Sequence, residues 1–225
     1  MKRNVDIKEI SDGRLYCAGD MVKADTGGCA GCSACCRGMG TSIILDPYDM
    51  WRLQTEAGLS PEALLQAQAE LNVVDGLILP NLKMQGPQEA CVFLDPQGRC
   101  SIHKARPGVC RLFPLGRYYE GRDFRYFLQV QECTKEKRSK VKVKKWVDTP
   151  RLAEYEEYIR QWHYFLEDAQ HILDTDGSDE LRRQVNLFLL KLFFLQSWKP
   201  EDFYPQFEER LAQGKKYLGI SCESL

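Results

Sequence analysis

The sequence lacks a long uninterrupted apolar run. Its longest apolar stretch, residues 185–198, contains Asn186, Lys191 and Gln196, whereas a membrane-spanning helix needs about 20 predominantly apolar residues. We therefore predict a buried helix here and no membrane span. Residues 1–6 lead into no apolar segment either, so we expect no secretory leader and a cytoplasmic location.

The chain also lacks an excess of charge of one sign. Its 31 lysine and arginine residues and 32 aspartate and glutamate residues leave a formal net charge of −1, so no overall field attracts it to nucleic acid or anionic lipid. Basic side chains are concentrated only in residues 135–145, which we interpret as a solvated face. Nucleic acid is therefore not expected as a partner, and the sequence does not identify a protein partner or substrate.

Several catalytic signatures are missing as well. No glycine-rich nucleotide fingerprint or phosphate loop follows a predicted strand, and no motif pairs a nucleophile with a general base. The chain contains no internal repeat and no low-complexity segment. With 44% hydrophobic residues in 225, it can build an ordinary globular core.

Cysteine, by contrast, is abundant, with ten residues. Thiols in a chain without an export signal are expected to stay reduced. In that setting they more often bind metal, catalyse or sense redox state than form structural disulfides. A disulfide framework in a secreted protein is the less favoured alternative.

Four of the ten cysteines lie within eight residues, at Cys29, Cys32, Cys35 and Cys36. The repeated two-residue gap is typical of zinc sites and of three ligands of an iron–sulfur cluster. A bacterial ferredoxin run would continue with three residues, a cysteine and a proline, but here Cys36 follows Cys35 at once. Because neighbouring side chains generally point apart, we expect Cys35 and Cys36 to serve two neighbouring metal sites.

Four further cysteines lie downstream and complete a predicted set of eight thiol ligands. The set is Cys29, Cys32, Cys35, Cys36, Cys91, Cys100, Cys110 and Cys133. Eight thiolates suffice for two tetrahedral zinc sites or for one to two iron–sulfur clusters, and the spacing does not decide between them. The predicted cofactors are therefore iron–sulfur clusters or zinc ions.

Several spaced blocks resemble the YkgJ or CxxCxxCC family of zinc- or iron-chelating cysteine-cluster proteins. The blocks are Cys29-x2-Cys32-x2-Cys35-Cys36, Cys91-Val92-Phe93-Leu94, Gly98-Arg99-Cys100-Ser101-Ile102-His103 and Arg106-Pro107-Gly108-Val109-Cys110-Arg111-Leu112-Phe113-Pro114. The resemblance covers about residues 29–133 and implies metal chelation without naming a reaction. Larger relatives include flagellin lysine methylases, which suggests protein modification as one chemistry.

Other residues near these blocks are candidates for supporting roles. Arg106 and Arg111 flank Cys110, where guanidinium groups would offset the negative charge of thiolates around a metal. His103 has a ring nitrogen that could bind metal, but we favour a structural role. Cys17 is equally compatible with a ninth ligand and with a small buried residue, and Cys222 is predicted to be a free thiol.

Short local signals predict the elements of the first part of the chain. Helices are predicted from Asp46-Pro47 to Gly58 and from Ser60-Pro61 to about Leu71, residues 72–90 are predicted to be irregular, and hairpins are predicted for 91–94 with 99–102 and for 115–119 with 124–130. An exposed edge strand is expected around Val141 and Val143, which alternate with lysines.

Helical periodicity dominates after residue 148. Apolar residues from Leu152 to Leu173 recur at three- and four-residue steps, which predicts a long amphipathic helix capped by Thr149-Pro150. Further helices are predicted from Ser178 through Leu195 and from Glu201 to about Tyr217. We expect a mainly helical α+β fold, in which residues 1–148 form an irregular cysteine-cluster module with short β-hairpins and the helices of 149–225 pack on it as one compact unit.

The leading hypothesis is an intracellular metal-binding protein with a redox role or a cluster-dependent role in protein modification. The alternative is a structural zinc module that mediates protein–protein contacts. A less favoured hypothesis is nucleic-acid binding through the lysine-rich segment 135–145.

Overall fold

The computed structural model describes residues 6–27, 32–135 and 137–220. Helices account for 46% and strands for 21% of it, so the predicted mainly helical α+β class is confirmed. The helices are α1 (Ile7–Ile10), α2 (Pro47–Ala57), α3 (Pro61–Ala63), α4 (Gly108–Leu112), α5 (Val143–Val147), α6 (Leu152–Asp176), α7 (Asp179–Leu190) and α8 (Phe203–Leu218). Short 3-10 turns lie at Ala34–Cys36 and His103–Ala105, and wider π turns at Leu64–Gln68 and Lys191–Leu195 extend α3 and α7.

The strands form four separate antiparallel pairs. They are β1 (Met21–Asp25), β2 (Ala69–Val74), β3 (Leu77–Leu82), β4 (Met84–Gln85), β5 (Ala90–Cys91), β6 (Leu115–Glu120), β7 (Asp123–Leu128) and β8 (Ser139–Lys142). The pairs are β1 with β8, β2 with β3, β4 with β5, and β6 with β7. Each strand pair therefore stabilises only its own part of the chain, and the helices contribute most of the buried side chains of the core.

Helix α2 begins and ends as predicted. The Asp46 carboxylate accepts a hydrogen bond from the Asp49 N–H at 2.8 Å, and the Asp49 carboxylate accepts one from the Asp46 N–H at 3.2 Å. This reciprocal capping box satisfies two N–H groups that the first turn leaves without a helical partner. Gly58 ends the helix in the left-handed conformation, with φ 69°, where glycine is favoured.

The prediction that residues 72–90 are irregular is wrong. Strands β2 and β3 form a regular hairpin across Asp75 and Gly76, which have φ values of 50° and 83° and suit a two-residue hairpin turn. Pro80 lies within β3 and argues against a strand when the sequence is considered alone. The Pro80 carbonyl is nevertheless satisfied, because it accepts the Leu45 N–H at 2.8 Å.

The two predicted hairpins have different outcomes. In the first, Cys91 belongs to β5 and pairs with Met84 of β4, and only an isolated bridge between Leu94 and Cys100 joins the two predicted arms. The second is confirmed as β6 and β7, which pair along their whole length. The predicted edge strand is confirmed at Val141 in β8, which pairs with β1, but it is wrong at Val143, which is buried at the start of α5.

Gly116 of β6 lies directly opposite Phe127 of β7. A Cβ atom at position 116 would lie 2.4 Å from Cζ of the Phe127 ring, which is inside any real contact distance. We expect Gly116→Ala to displace the ring and lower the free energy of unfolding by about 1–3 kcal/mol, as overpacking typically does. Urea denaturation measures this change.

Gly19→Ala is the matched control for Gly116→Ala. A Cβ atom at position 19 would meet nothing within 4 Å, so its unfolding midpoint should stay close to that of the wild type. Equal midpoints for the two variants would contradict the tight contact between Gly116 and Phe127.

Helix α6 begins later than predicted. Thr149 does not cap it, because its hydroxyl donates to the Val147 carbonyl at 3.2 Å. The N-cap is Arg151, which has a φ of 53° and forms ion pairs with Glu154 and Asp202. Because Arg151 has a positive φ, the chain turns at this residue before the helix begins. The residue types alone do not indicate this turn.

Helices α7 and α8 agree closely with the predictions. The Ser178 hydroxyl accepts the Leu181 N–H at 3.2 Å at the start of α7, and the apolar helix continues through Leu195 as a π turn. Asp202 caps α8 one residue after the predicted start, by accepting the Tyr204 N–H at 3.3 Å.

Buried side chains from the cysteine-rich region and from the C-terminal helices form one hydrophobic cluster. It includes Leu45 and Leu53 near α2 and Tyr155, Phe193 and Phe207 from the later helices. Within the described parts of the chain, none of the helices combines the length and the apolar character that crossing a bilayer requires.

Candidate metal centre

The first cysteine loop is fixed to the strand that carries Cys91. Arg37 forms an isolated antiparallel bridge with Ala90, and its Nη1 donates to the Gln88 Oε1 at 2.6 Å. Arg37 and Ala90 are the direct chain neighbours of Cys36 and Cys91, so this bridge brings the two cysteines together.

A tight turn at residues 95–98 positions Cys100. The Asp95 N–H donates to the Arg99 carbonyl at 2.8 Å, and the Gly98 N–H donates to the Asp95 carbonyl at 2.9 Å. Gly98 has a φ of 73°, a left-handed conformation that favours glycine. The bridge between Leu94 and Cys100 then places Cys100 beside the segment that begins with β5.

Cys110 lies on the short helix α4, whose start is held by a buried carboxylate. The Gly108 N–H donates to Asp49 Oδ1 at 2.7 Å, and Asp49 is only 2% exposed. Burial raises the pKa of Asp49 well above its ordinary value, and the nearby Asp46 carboxyl raises it further, although the N–H donors of Gly108 and Asp46 act in the opposite direction. Helix α2 thereby fixes the position of α4.

Five of the eight predicted ligands lie close together. We call them the thiol cluster: Cys35, Cys36, Cys91, Cys100 and Cys110. Each is partly buried, and their charges act on one another, since three thiols of the cluster affect Cys110 and three affect Cys36. Burial raises the pKa of Cys110 well above its ordinary value, and the surrounding negative charges raise it further.

The thiols of Cys35 and Cys36 interact with each other. The expectation that they serve two neighbouring metal sites stays a prediction. A hydrogen bond between the two thiols lowers the pKa of Cys36 and is the largest cause of the raised pKa of Cys35. Both residues lie in the 3-10 turn Ala34–Cys36. In a helical turn consecutive side chains diverge much less than in an extended strand, where they point to opposite faces.

Backbone amides donate to two of the sulfur atoms. Burial raises the pKa of Cys91, and a hydrogen bond from the Phe93 N–H opposes the shift. Burial raises the pKa of Cys100 in the same way, and the Ile102 N–H opposes it. In both cases the donor lies two residues after the cysteine, and each hydrogen bond favours the thiolate form that metals bind.

The two arginines that flank Cys110 have different roles. Arg106 stabilises negative charge on Cys35 and Cys100, as its predicted charge-offsetting role requires. The buried Arg111 side chain is directed instead to three backbone carbonyls, those of Lys104, Arg106 and Asp148, at 2.5, 3.2 and 2.8 Å respectively. Arg111 therefore holds the backbone around α4.

The other three predicted ligands are not brought into the thiol cluster by any described contact. Cys32 and Cys133 are partly buried. The Cys133 carbonyl accepts a hydrogen bond from Nη2 of Arg138 at 3.2 Å. Cys29 lies outside the described residues. The complete set of eight ligands stays a prediction.

The remaining candidates are Cys17, His103 and Cys222. Cys17 is exposed and its N–H donates to Asp20 Oδ2 at 2.7 Å, so it is not the buried residue that one alternative expected. The His103 Nε2 lies 3.1 Å from Nη1 of Arg106, and burial lowers the pKa of His103. Cys222 lies outside the described residues.

The donor chemistry of the thiol cluster fits a soft metal. Thiolates select zinc and iron–sulfur clusters, and here the sulfur atoms receive amide hydrogen bonds and lie near the charge of Arg106. Among residues 6–27, 32–135 and 137–220, no three histidine, cysteine, aspartate or glutamate side chains are already arranged around one point as metal ligands.

These features define a cysteine-cluster protein with converging thiols. Residues 28–139 match the model of the CxxCxxCC family, described as a "putative zinc- or iron-chelating domain". The chain belongs to this family, which confirms the resemblance seen in its cysteine blocks, and the match spans all eight predicted ligands. No curated protein and no solved structure matches the chain.

The sequence interpretation did not include Asp49 among the functional residues. Its sequence signal is the spacing from Asp46, which predicts a capping box at the start of α2. That signal does not reveal that the same carboxylate also accepts the Gly108 N–H, because Gly108 lies far away in the chain.

Proposed function

We propose that the thiol cluster, together with Cys29, Cys32 and Cys133, binds iron–sulfur clusters or zinc ions. The observation that supports this most directly is the convergence of five thiols from four separate chain segments. Partly buried thiols gathered in this way would repel one another as thiolates, and a bound cation removes that repulsion.

An iron–sulfur centre with a redox or protein-modifying role is the favoured form of the proposal. Such a centre supplies one-electron chemistry, and its potential depends on hydrogen bonds to sulfur, net charge and exposure. The N–H groups of Phe93 and Ile102 and the guanidinium of Arg106 are the groups of this chain that would adjust the potential. Protein substrates or partners belong to this proposal and await identification.

A structural zinc module is the second candidate. Amide donors two residues after Cys91 and Cys100 suit tetrahedral zinc–thiolate sites as well as they suit clusters. In this form the metal would hold the loops of the module in place for contacts with another protein.

Anaerobic purification followed by metal analysis and visible absorption spectroscopy tests the proposal. We expect a coloured protein with iron and acid-labile sulfide in similar amounts, and with reversible bleaching on reduction. Metal analysis should also be carried out after aerobic purification, because thiolate sites accept zinc in place of iron.

Each outcome of this test leads to a different conclusion. A colourless anaerobic protein that contains only zinc would replace the redox proposal with the structural zinc module. A protein that contains neither metal, and that takes up neither iron with sulfide nor zinc when supplied with them, would contradict metal binding by these thiols.

A further inference from the structure

A cavity of about 450 Å³ is lined mainly by cationic side chains. We call it the cationic cavity, and its nitrogen-bearing lining residues are Arg52, His103, Lys104, Arg106, Arg111 and Lys144. The volume lies within the range of about 300–1,000 Å³ that is typical of small-molecule sites. Asp148 is the acidic residue of its lining.

One wall of the cavity contains a buried arginine with an unused donor. Arg52 is 6% exposed and donates Nε and Nη2 to the Glu56 carboxylate at 2.8 and 2.6 Å. Its Nη1 is buried and has no hydrogen-bond partner among the described residues. An unsatisfied buried donor on a charged group costs free energy, and an acceptor that reached Nη1 after a small movement of the side chain would recover it.

The lining is also rich in positive charge that other groups do not neutralise. Within the described part of the chain, neither Lys104 nor Lys144 forms an ion pair with a carboxylate. The Arg111 guanidinium donates hydrogen bonds to backbone carbonyl oxygens. These carbonyls are neutral, so the positive charge of Arg111 is not compensated by them. The cavity therefore has an electrostatic preference for an anion.

Arg106 connects the cationic cavity with the thiol cluster. It lines the cavity, and its charge acts on Cys35 and Cys100. A ligand that binds Arg106 would therefore contact a group whose charge also acts on these two sulfur atoms.

We propose that the cationic cavity binds the oxyanion group, a phosphate or a carboxylate, of a small ligand or substrate and holds it beside the thiol cluster. Charge-assisted hydrogen bonds from guanidinium and ammonium groups recognise both oxyanions. Binding of the anion does not require a metal. The role of the anion as part of a substrate rests on the proposed function.

Titration of the protein with inorganic phosphate and with acetate tests the proposal. Isothermal titration calorimetry and thermal melting are performed at constant ionic strength, with chloride as the reference anion. We expect saturable binding of at least one oxyanion in the wild type and about five- to tenfold weaker binding in Lys144→Gln and in Lys104→Gln, since each removes one charged donor. Stronger binding of phosphate would assign a phosphoryl ligand, and stronger binding of acetate would assign a carboxylate.

Lys145→Gln is the matched control. Lys145 follows Lys144 in α5 and is exposed, but it does not line the cavity, so this variant should bind the oxyanion as the wild type does. Equal weakening in all three variants would indicate a non-specific effect of charge and would overturn the proposal, as would the absence of binding to either oxyanion in the wild type.

Metal content measured on the same samples separates this proposal from the proposed function. Lys104→Gln and Lys144→Gln change no thiol and should leave the metal content as in the wild type. A protein that binds metal but no oxyanion would overturn only the cavity proposal, and a protein that binds the oxyanion but no metal would overturn only the metal centre.

Discussion

Replacing Cys110 by serine is expected to abolish stable metal loading. Cys110 is the thiol of α4 that three other thiols of the cluster surround, and a serine hydroxyl is a poor ligand for a soft metal. Loss of a group that only orients a ligand already costs about 10- to 100-fold in metal affinity, so loss of the thiolate itself should cost at least as much. Metal analysis after anaerobic purification measures the result.

Cys17→Ser is the control for Cys110→Ser. Cys17 is exposed, so the same chemical change at that position should leave the metal content as in the wild type. The circular dichroism of both variants shows whether they are folded. A folded Cys110→Ser protein with wild-type metal content would remove Cys110 from the ligand set, and metal loss in Cys17→Ser would show that the ligand set extends beyond the eight predicted thiols.

Replacing Asp49 by alanine is expected to lower the free energy of unfolding by about 2–4 kcal/mol, since it leaves one buried and one partly buried N–H donor without an acceptor. One is the Gly108 N–H, bound by Oδ1, and the other is the Asp46 N–H, bound by Oδ2. We also expect weaker metal binding, because the start of α4 loses the group that fixes it. Urea denaturation and metal titration measure the two effects.

Asp49→Asn separates the role of the acceptor from the role of the charge. The amide keeps one oxygen that can accept the Gly108 N–H, so this variant should lose less than half of the stability lost by Asp49→Ala. Equal losses in the two variants would show that the negative charge, and not the hydrogen bond to α4, is what the fold requires.

Elements whose signals are local could be predicted from the sequence. Asp46, Pro47 and Gly58 act through hydrogen bonds and φ values within a few residues. The apolar stripe from Leu152 to Leu173 can likewise be recognised from the sequence alone. The family of the cysteine blocks could be recognised for the same reason, since its spacings are local.

Elements that depend on distant partners could not be predicted in this way. Strand β1 is a short segment whose partner β8 lies near the other end of the cysteine-rich region, so its pairing has no local signal. The hairpin of β2 and β3 was missed because Pro80 suggests a loop, whereas in the fold its carbonyl binds Leu45.

The arrangement of the candidate site was predictable only in part. The spacing of the cysteines predicts that thiols are the metal ligands, and five of these thiols lie close together. The contact between Cys35 and Cys36 depends on a 3-10 turn that residue types alone do not specify. The cationic cavity was also missed, because Arg52, Lys104 and Lys144 come from three separate segments.

The three hydrogen bonds of Arg111 have a mechanical consequence. One guanidinium joins the helix that carries Cys110 to the Lys104 carbonyl and to the Asp148 carbonyl, just before α6. Lys104, Arg111 and Asp148 also line the cationic cavity, so these hydrogen bonds link the helix of Cys110 to the cavity lining. We therefore expect a shift of the Cys110 sulfur atom on metal binding to change the width of the cavity.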